Sequence, residues 1–197
     1  MIRRLFAVLL ALVILLVVGG FLLPSSVTVE RDRTFDHPPE LLFEVLSDLR
    51  HFVQWSPWVT GDVAGSYRLE GQAMGVGATL IWREGADAGA SRLWITAAEP
   101  SRLVEYDLEF GENDAEGWFR IESDGFGSTV HWGLSMKFGT LDLVGRYVGV
   151  MLPGLVGREY DQGLEALDAY LDEADGQVPE LPADLDAELF ERNSHQP

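Results

Sequence analysis

The 197-residue chain contains no cysteine. Disulfides, thiolate nucleophiles, cysteine-based zinc sites and a lipoprotein-type lipidation site are excluded together. Basic residues are scarce: 14 Lys and Arg against 32 Asp and Glu leave a formal net charge of −18. So acidic a chain cannot build the basic patch that a nucleic-acid partner requires. It also lacks the clustered cations with which proteins lie flat on anionic lipid. Histidines number four, and His37 and His195 have no metal-ligand spacing to another histidine or to a carboxylate. His131 alternates with Val130 and Trp132 and reads as a surface strand residue. No metal and no other cofactor is expected. A G-x-S-x-G elbow does not occur, and the glycines of "EGQAMGVGA" neither follow a strand nor open a helix, so a phosphate cradle fails.

What the chain has instead is apolar residues, 47% of the total, and an N-terminus made of little else. "MIRRLFAVLLALVILLVVGGFLLP" carries Arg3 and Arg4, then an uncharged run from Leu5 to Leu23 stopped by Pro24. At ~1.5 Å per residue this run approximates the ~30 Å hydrocarbon thickness of a bilayer. A cleaved signal would have a shorter apolar region and a small-x-small cleavage site, and "GGFLLPSS" is a poor one. Residues 1–24 are therefore expected to be a transmembrane anchor that contacts the membrane through residues 5–23. The paired arginines predict a single-pass protein with a cytoplasmic N-terminus and its domain on the extracytoplasmic side.

Beyond Pro24, Val27, Val29, Arg31 and Arg33 alternate with Thr28, Glu30, Asp32 and Thr34, which predicts a strand. "DHPPELLFEVLSDLRHF" predicts a helix with Asp36 as a possible cap and Pro39 in its first turn. Six strand candidates follow between Ser66 and Gly139, separated by turns too short for parallel crossovers, so an antiparallel meander is expected. From Leu141 the pattern is helical, broken or kinked near Pro153, with Tyr160, Leu164, Leu167 and Leu171 on one face. Residues 176–197 read as an acidic, flexible tail. A sheet with one apolar face needs a cover, and the long terminal helix is the element large enough to supply it.

This order resembles the helix-grip fold of the START-like (SRPBCC) superfamily, and within it the membrane-anchored members described as polyketide cyclase/dehydrase-like. The stretch "PSSVTVERDRTFDHPPELLFEVLSDLRHFVQWSPW" resembles that group's opening strand, its "PPE" helix start, the Asp48 that closes the helix, and its "W-S-P-W" ending. "EGADAGASRLWITAAEPSRLVEYDLEF" and "GSTVHWGLSMKF" resemble later strands. The resemblance covers about residues 25–175. It implies an α+β fold, a curved antiparallel sheet of about seven strands wrapped around a long C-terminal helix, with a cavity between them for apolar small molecules. Some members catalyse cyclisation or dehydration there, and others only bind.

On this basis the expected function is membrane-anchored binding of an apolar small molecule or lipid. A cyclase- or dehydratase-like enzyme, or an interaction module with a filled cavity, are the alternatives. No catalytic constellation is identifiable, and the sequence leaves protein partners unknown. Tyr106 and Trp132 are placed inside by phase, with Trp82, while Trp94 and Trp118 are ambiguous. The inward aromatics are either core filler or pocket lining. Gly145 and Gly149, four apart on the terminal helix, would leave volume for a ligand or permit closer packing. Leu152 lies within the apolar "GVMLPGLVG", a segment that would either stand at the pocket mouth or touch the nearby bilayer. In "QWSPW", Trp55 is expected to plug the sheet end and Trp58 to reach the pocket entrance.

Overall fold

The computed structural model describes residues 2–59, 67–83, 90–110, 113–183 and 185. After helix α1 (Ile2–Leu22) come strand β1 (Ser26–Phe35) and the short helices α2 (Pro39–Ser47) and α3 (Leu49–Trp55). Six strands follow, β2 (Arg68–Glu70), β3 (Thr79–Arg83), β4 (Ala90–Glu99), β5 (Leu103–Phe110), β6 (Asn113–Ser123) and β7 (Ser128–Lys137), and then helix α4 (Leu143–Asp172). All neighbours pair antiparallel in the order β1-β7-β6-β5-β4-β3-β2. The meander is thus closed on one side by the chain's first strand. The curved sheet holds α4 against its inner face, an α+β helix-grip architecture.

Alternation determines which side chains meet α4. In β5, Val104, Tyr106 and Leu108 point inward, and in β7 Val130, Trp132 and Leu134 do. Leu164, Leu167 and Leu171 of α4 are fully buried against them. Strand β1 sends two arginines to the same face, where Arg33 pairs with Asp168 of α4 at 2.7 Å and Arg31 lies 3.4 Å from Asp161. These contacts fix α4 parallel to β1, so that the start of α4 lies at the end of the sheet nearest α1.

Two differences from expectation concern the helices. Asp36 does not cap α2. Pro38 occupies the cap position without a side-chain bond, and Pro39 takes the first turn, where a missing N–H costs nothing. Helix α4 is not broken at Pro153 but continues through it. The Arg31 guanidinium of β1 donates to the Pro153 carbonyl at 3.4 Å. The resemblance's Asp48 lies between α2 and α3, where its side chain accepts from the Arg50 backbone N–H at 2.9 Å and pairs with the Arg50 guanidinium. After α4, Val178, Leu181 and Leu185 return to pack on the core, while residues 184 and 186–197 lie outside the described residues.

The register also explains two glycines. Gly117 of β6 faces Tyr106 of β5, and Gly133 of β7 faces Trp118 of β6. A Cβ at Gly117 would overlap the fully buried Tyr106 ring, and one at Gly133 would overlap the Trp118 indole. Each aromatic thus covers a glycine on its own face, Tyr106 inside and Trp118 outside. The outward indole of Trp118 donates to Glu30 at 2.9 Å, and Trp94 lies on the outer face under Arg92. Gly117→Ala is expected to cost about 1–3 kcal/mol in denaturant unfolding, because the Tyr106 ring has no empty space to enter. A change within about 0.5 kcal/mol would show that the ring does move.

Candidate functional site

The "QWSPW" segment leaves α3 at Ser56, which is extended and fully buried, and carries one tryptophan on either side of that point. Trp55 is buried, edge-on to Trp132 at 5.4 Å and to Phe119 at 6.1 Å. Trp58 is half-buried, with its ring 5.4 Å from Trp132, 5.5 Å from Tyr160 and 6.3 Å from Phe110. Trp132 is the centre of this assembly. It stacks on Tyr160 at 4.0 Å with the planes 8° apart, and its indole N–H donates to the Tyr106 hydroxyl at 2.7 Å. Burial raises the pKa of the Tyr106 and Tyr160 phenols above the ordinary range, and in Tyr160 the adjacent Tyr106 adds to the rise. Both therefore stay neutral at physiological pH, which suits an apolar environment.

Beside this aromatic floor lies an open cavity of about 440 Å³ between the sheet and the first half of α4. Its walls include Trp58, Phe110 of β5, Leu134 and Met136 of β7, and Leu152 and Val156 of α4. Among the described lining residues the one ionisable side chain is Asp142, and its carboxylate is occupied as the cap of α4, accepting from the Gly145 N–H at 2.8 Å. The remaining wall is apolar. A surface of this kind holds a ligand by burial of area, with few polar groups to orient it.

The residues expected at a pocket therefore separate. Trp58, Gly145 and Leu152 do line the cavity. Trp82, Tyr106 and Trp132 are fully buried and stand behind the lining as packing, Trp82 against Phe110 and Trp132 against Trp58. Gly149 leaves space that Phe138 takes: a Cβ there would lie 2.8 Å from the tip of the Phe138 ring. Phe110, Leu134 and Met136 were not anticipated. They are inward positions near the ends of β5 and β7, and counting by two from Tyr106 and Trp132 reaches all three.

Helix α1 meets the domain at the same end. Its 21 residues have the length and apolarity of a membrane span, a description that a signal sequence also fits. Pro24 and Ser25 separate the last apolar residue, Leu23, from β1. Gly20 is buried beneath α4, and a Cβ on it would lie 3.1 Å from Leu143 and 3.2 Å from Tyr147. The Tyr147 hydroxyl donates to the Leu16 carbonyl at 2.8 Å, and the buried Arg146 guanidinium to the Leu23 carbonyl at 3.2 Å.

Known structures share this arrangement. StfQ, a di-domain ARO/CYC protein from the steffimycin biosynthetic pathway, superposes with a TM-score of 0.60 at 12% identity, over 77% of this chain and 52% of its own. The chain thus spans about half of StfQ. KanY superposes at 0.55 with 15% identity, over 76% of this chain and 99% of KanY. A protein from Rhodobacter sphaeroides does so at 0.51 with 15% identity, over 75% and 93%. At such identities the likeness is one of fold. No curated protein matches the sequence. A family model does, over residues 26–172, which runs from the first residue of β1 to the last of α4. Fold, element order and this match agree: the chain belongs to the polyketide cyclase / dehydrase and lipid transport family.

Proposed function

We propose that the protein is a membrane-anchored binder of an apolar small molecule or lipid, held in the cavity between the sheet and the first half of α4. The observation that carries this reading is the cavity itself, about 440 Å³ and walled by Trp58, Phe110, Leu134, Met136, Leu152 and Val156. Volumes of this order accommodate small ligands, and apolar walls favour ligands that leave water readily. Residues 1–24 serve as an uncleaved anchor and residues 25–175 as the binding domain, with 176–197 as an acidic extension. Arg3 and Arg4, ahead of the apolar run, support a cytoplasmic N-terminus with the domain on the other side. Tethering keeps the domain at high local concentration beside a membrane, where apolar ligands collect. Catalysis in the same cavity would need an ionisable group free to exchange a proton with the ligand. Asp142, committed to capping α4, does not favour that alternative.

Brominated fatty acid provides a direct test. All six tryptophans lie in the domain and none in α1, so quenching of tryptophan emission reports ligand near the cavity. The full chain in detergent is expected to show saturable quenching whose amplitude Trp58→Phe reduces, since Trp132 and Trp82 stand behind the lining. Quenching that rises linearly without saturation, and equally in the variant, would count against a binding site.

A further inference from the structure

Exposed apolar residues are concentrated on one part of the domain surface. Along the first half of α4, Val144, Val148, Met151 and Leu155 follow one another at intervals of four, three and four residues and are all exposed, Val144 at 75% and Met151 at 65%. Leu141, just before the helix, is 82% exposed. Scattered exposed apolar residues are ordinary on a protein surface, but a continuous stripe of this size marks a surface that is covered in use. From Tyr147 to Gly157 the helix carries no charge at all.

The neighbouring helix indicates what covers it. The start of α4 is seated on Gly20 of α1, and the Tyr147 hydroxyl reaches the carbonyl of Leu16. Leu16 precedes the α1 terminus by six residues, ~9 Å along the axis at the helical rise. Arg146, the one cation in this region of α4, turns its guanidinium to the Leu23 carbonyl at the end of the apolar run, where the headgroup region begins if α1 spans the bilayer. Pro24 and Ser25 are too short a link to lift the domain off the membrane. The start of the stripe and the end of the span therefore lie at one level, and the stripe runs on from there along α4.

We infer that the exposed stripe of α4, from Val144 to Leu155, is immersed in the leaflet at the C-terminal end of α1, so that the cavity opens toward acyl chains and takes its ligand from the bilayer without passage through water. Val144 and Val148 belong to both features: they line the cavity and stand on the stripe, which makes them the lip between the two. The occupant of the stripe is lipid rather than a second copy of the chain, because the stripe is continuous with the lipid-facing surface of α1. This inference rests on α1 being a membrane span, and it specifies the route of the ligand proposed above.

The absence of cysteine makes the test straightforward. Single cysteines at Val148, Met151 and Leu155 in the full chain, each spin-labelled and reconstituted into phosphatidylcholine nanodiscs, report collisions with oxygen and with a water-soluble nickel chelate. Leu12→Cys in α1 reports the span, and Phe126→Cys, at a fully exposed turn far from α1, reports water. Each labelled protein is compared with the unlabelled chain by tryptophan emission to confirm the fold. High oxygen and low nickel accessibility at all three stripe positions, matching Leu12 and opposite to Phe126, is the expected result. Nickel accessibility equal to that at Phe126 would overturn immersion, as would low accessibility to both reagents, the sign of coverage by protein. If Leu12 behaves as lipid-exposed while the stripe does not, the inference fails and the anchor stands. If Leu12 itself is in water, both fail.

Discussion

Trp55→Ala is expected to lower the stability of the domain by about 3–5 kcal/mol, the usual cost of emptying a large aromatic site in a core. That is a large part of the ~5–15 kcal/mol that holds a typical domain folded, so the variant should be substantially unfolded at modest denaturant. The magnitude follows from position. Trp55 is 2% exposed and touches Phe52 of its own helix, Phe119 of β6 and Trp132 of β7. It is thus a bridge between the helical pair and the middle of the sheet, and a cavity in its place has rigid walls on every side. Trp58→Ala should behave differently. Trp58 is only partly buried and lines the cavity, so its loss is expected to cost below about 2 kcal/mol. Affinity for an apolar ligand should instead fall by about tenfold, or ~1.4 kcal/mol. Denaturant unfolding of both variants beside a binding titration separates the two. Equal stability losses at Trp55 and Trp58 would remove the distinction between core and doorway.

Leu152→Trp carries the second large effect, in the opposite sense. Leu152 lines the cavity from α4, and an indole there would occupy the volume that a ligand needs. The added ring enters empty space, so stability is expected to stay within about 1 kcal/mol of the parent. Ligand affinity should fall by tenfold or more, at least ~1.4 kcal/mol. A folded variant that binds as well as the parent would place the ligand somewhere other than this cavity.

Much of the fold was legible because strand alternation and helix periodicity are local. The phase of β1 put Arg31 and Arg33 on one side with Val27 and Val29, and on that side they meet Asp161 and Asp168 of α4. Phase also placed Tyr106 and Trp132 inward, where they are. It could not decide Trp94 and Trp118, since Leu93 and Ile95, or Phe119 and Ile121, competed for the interior. The register decided it, by setting Trp118 over Gly133 on the outer face. The cavity was less legible for a reason of the same kind. Alternation says that a side chain points inward but not at what depth along the sheet it does so. Tyr106 and Trp132 lie where α4 packs closely, with Tyr160 stacked on Trp132, whereas Phe110, Leu134 and Met136 lie nearer the open end. Gly149 illustrates the same limit, because its missing side chain makes room for Phe138, a residue outside the strands whose approach no periodicity describes. Gly19 and Gly20 read in sequence only as a poor cleavage context. Folded, they lie under Tyr147 and Leu143 and give α4 its seat on α1.

The "QWSPW" segment shows how differently two closely spaced residues can be placed. The two tryptophans three residues apart do have separate surroundings, one enclosed by core aromatics and the other between that core and an apolar cavity. The short connection to α1 sets this cavity at the α1 end of the domain, which is the membrane end if α1 is the proposed anchor. Burial of apolar area is the force available to such a site, and a bilayer is the nearest source of apolar molecules.

The most direct measurement is to purify the full chain from membranes, exchange the detergent thoroughly, and identify by mass spectrometry what organic extraction releases. The account predicts a lipid or other apolar molecule in near-stoichiometric amount from the parent protein and its loss from Leu152→Trp prepared in the same way. An empty parent protein that also fails to take up brominated fatty acid, or equal recovery of the same molecule from the filled-cavity variant, would contradict it.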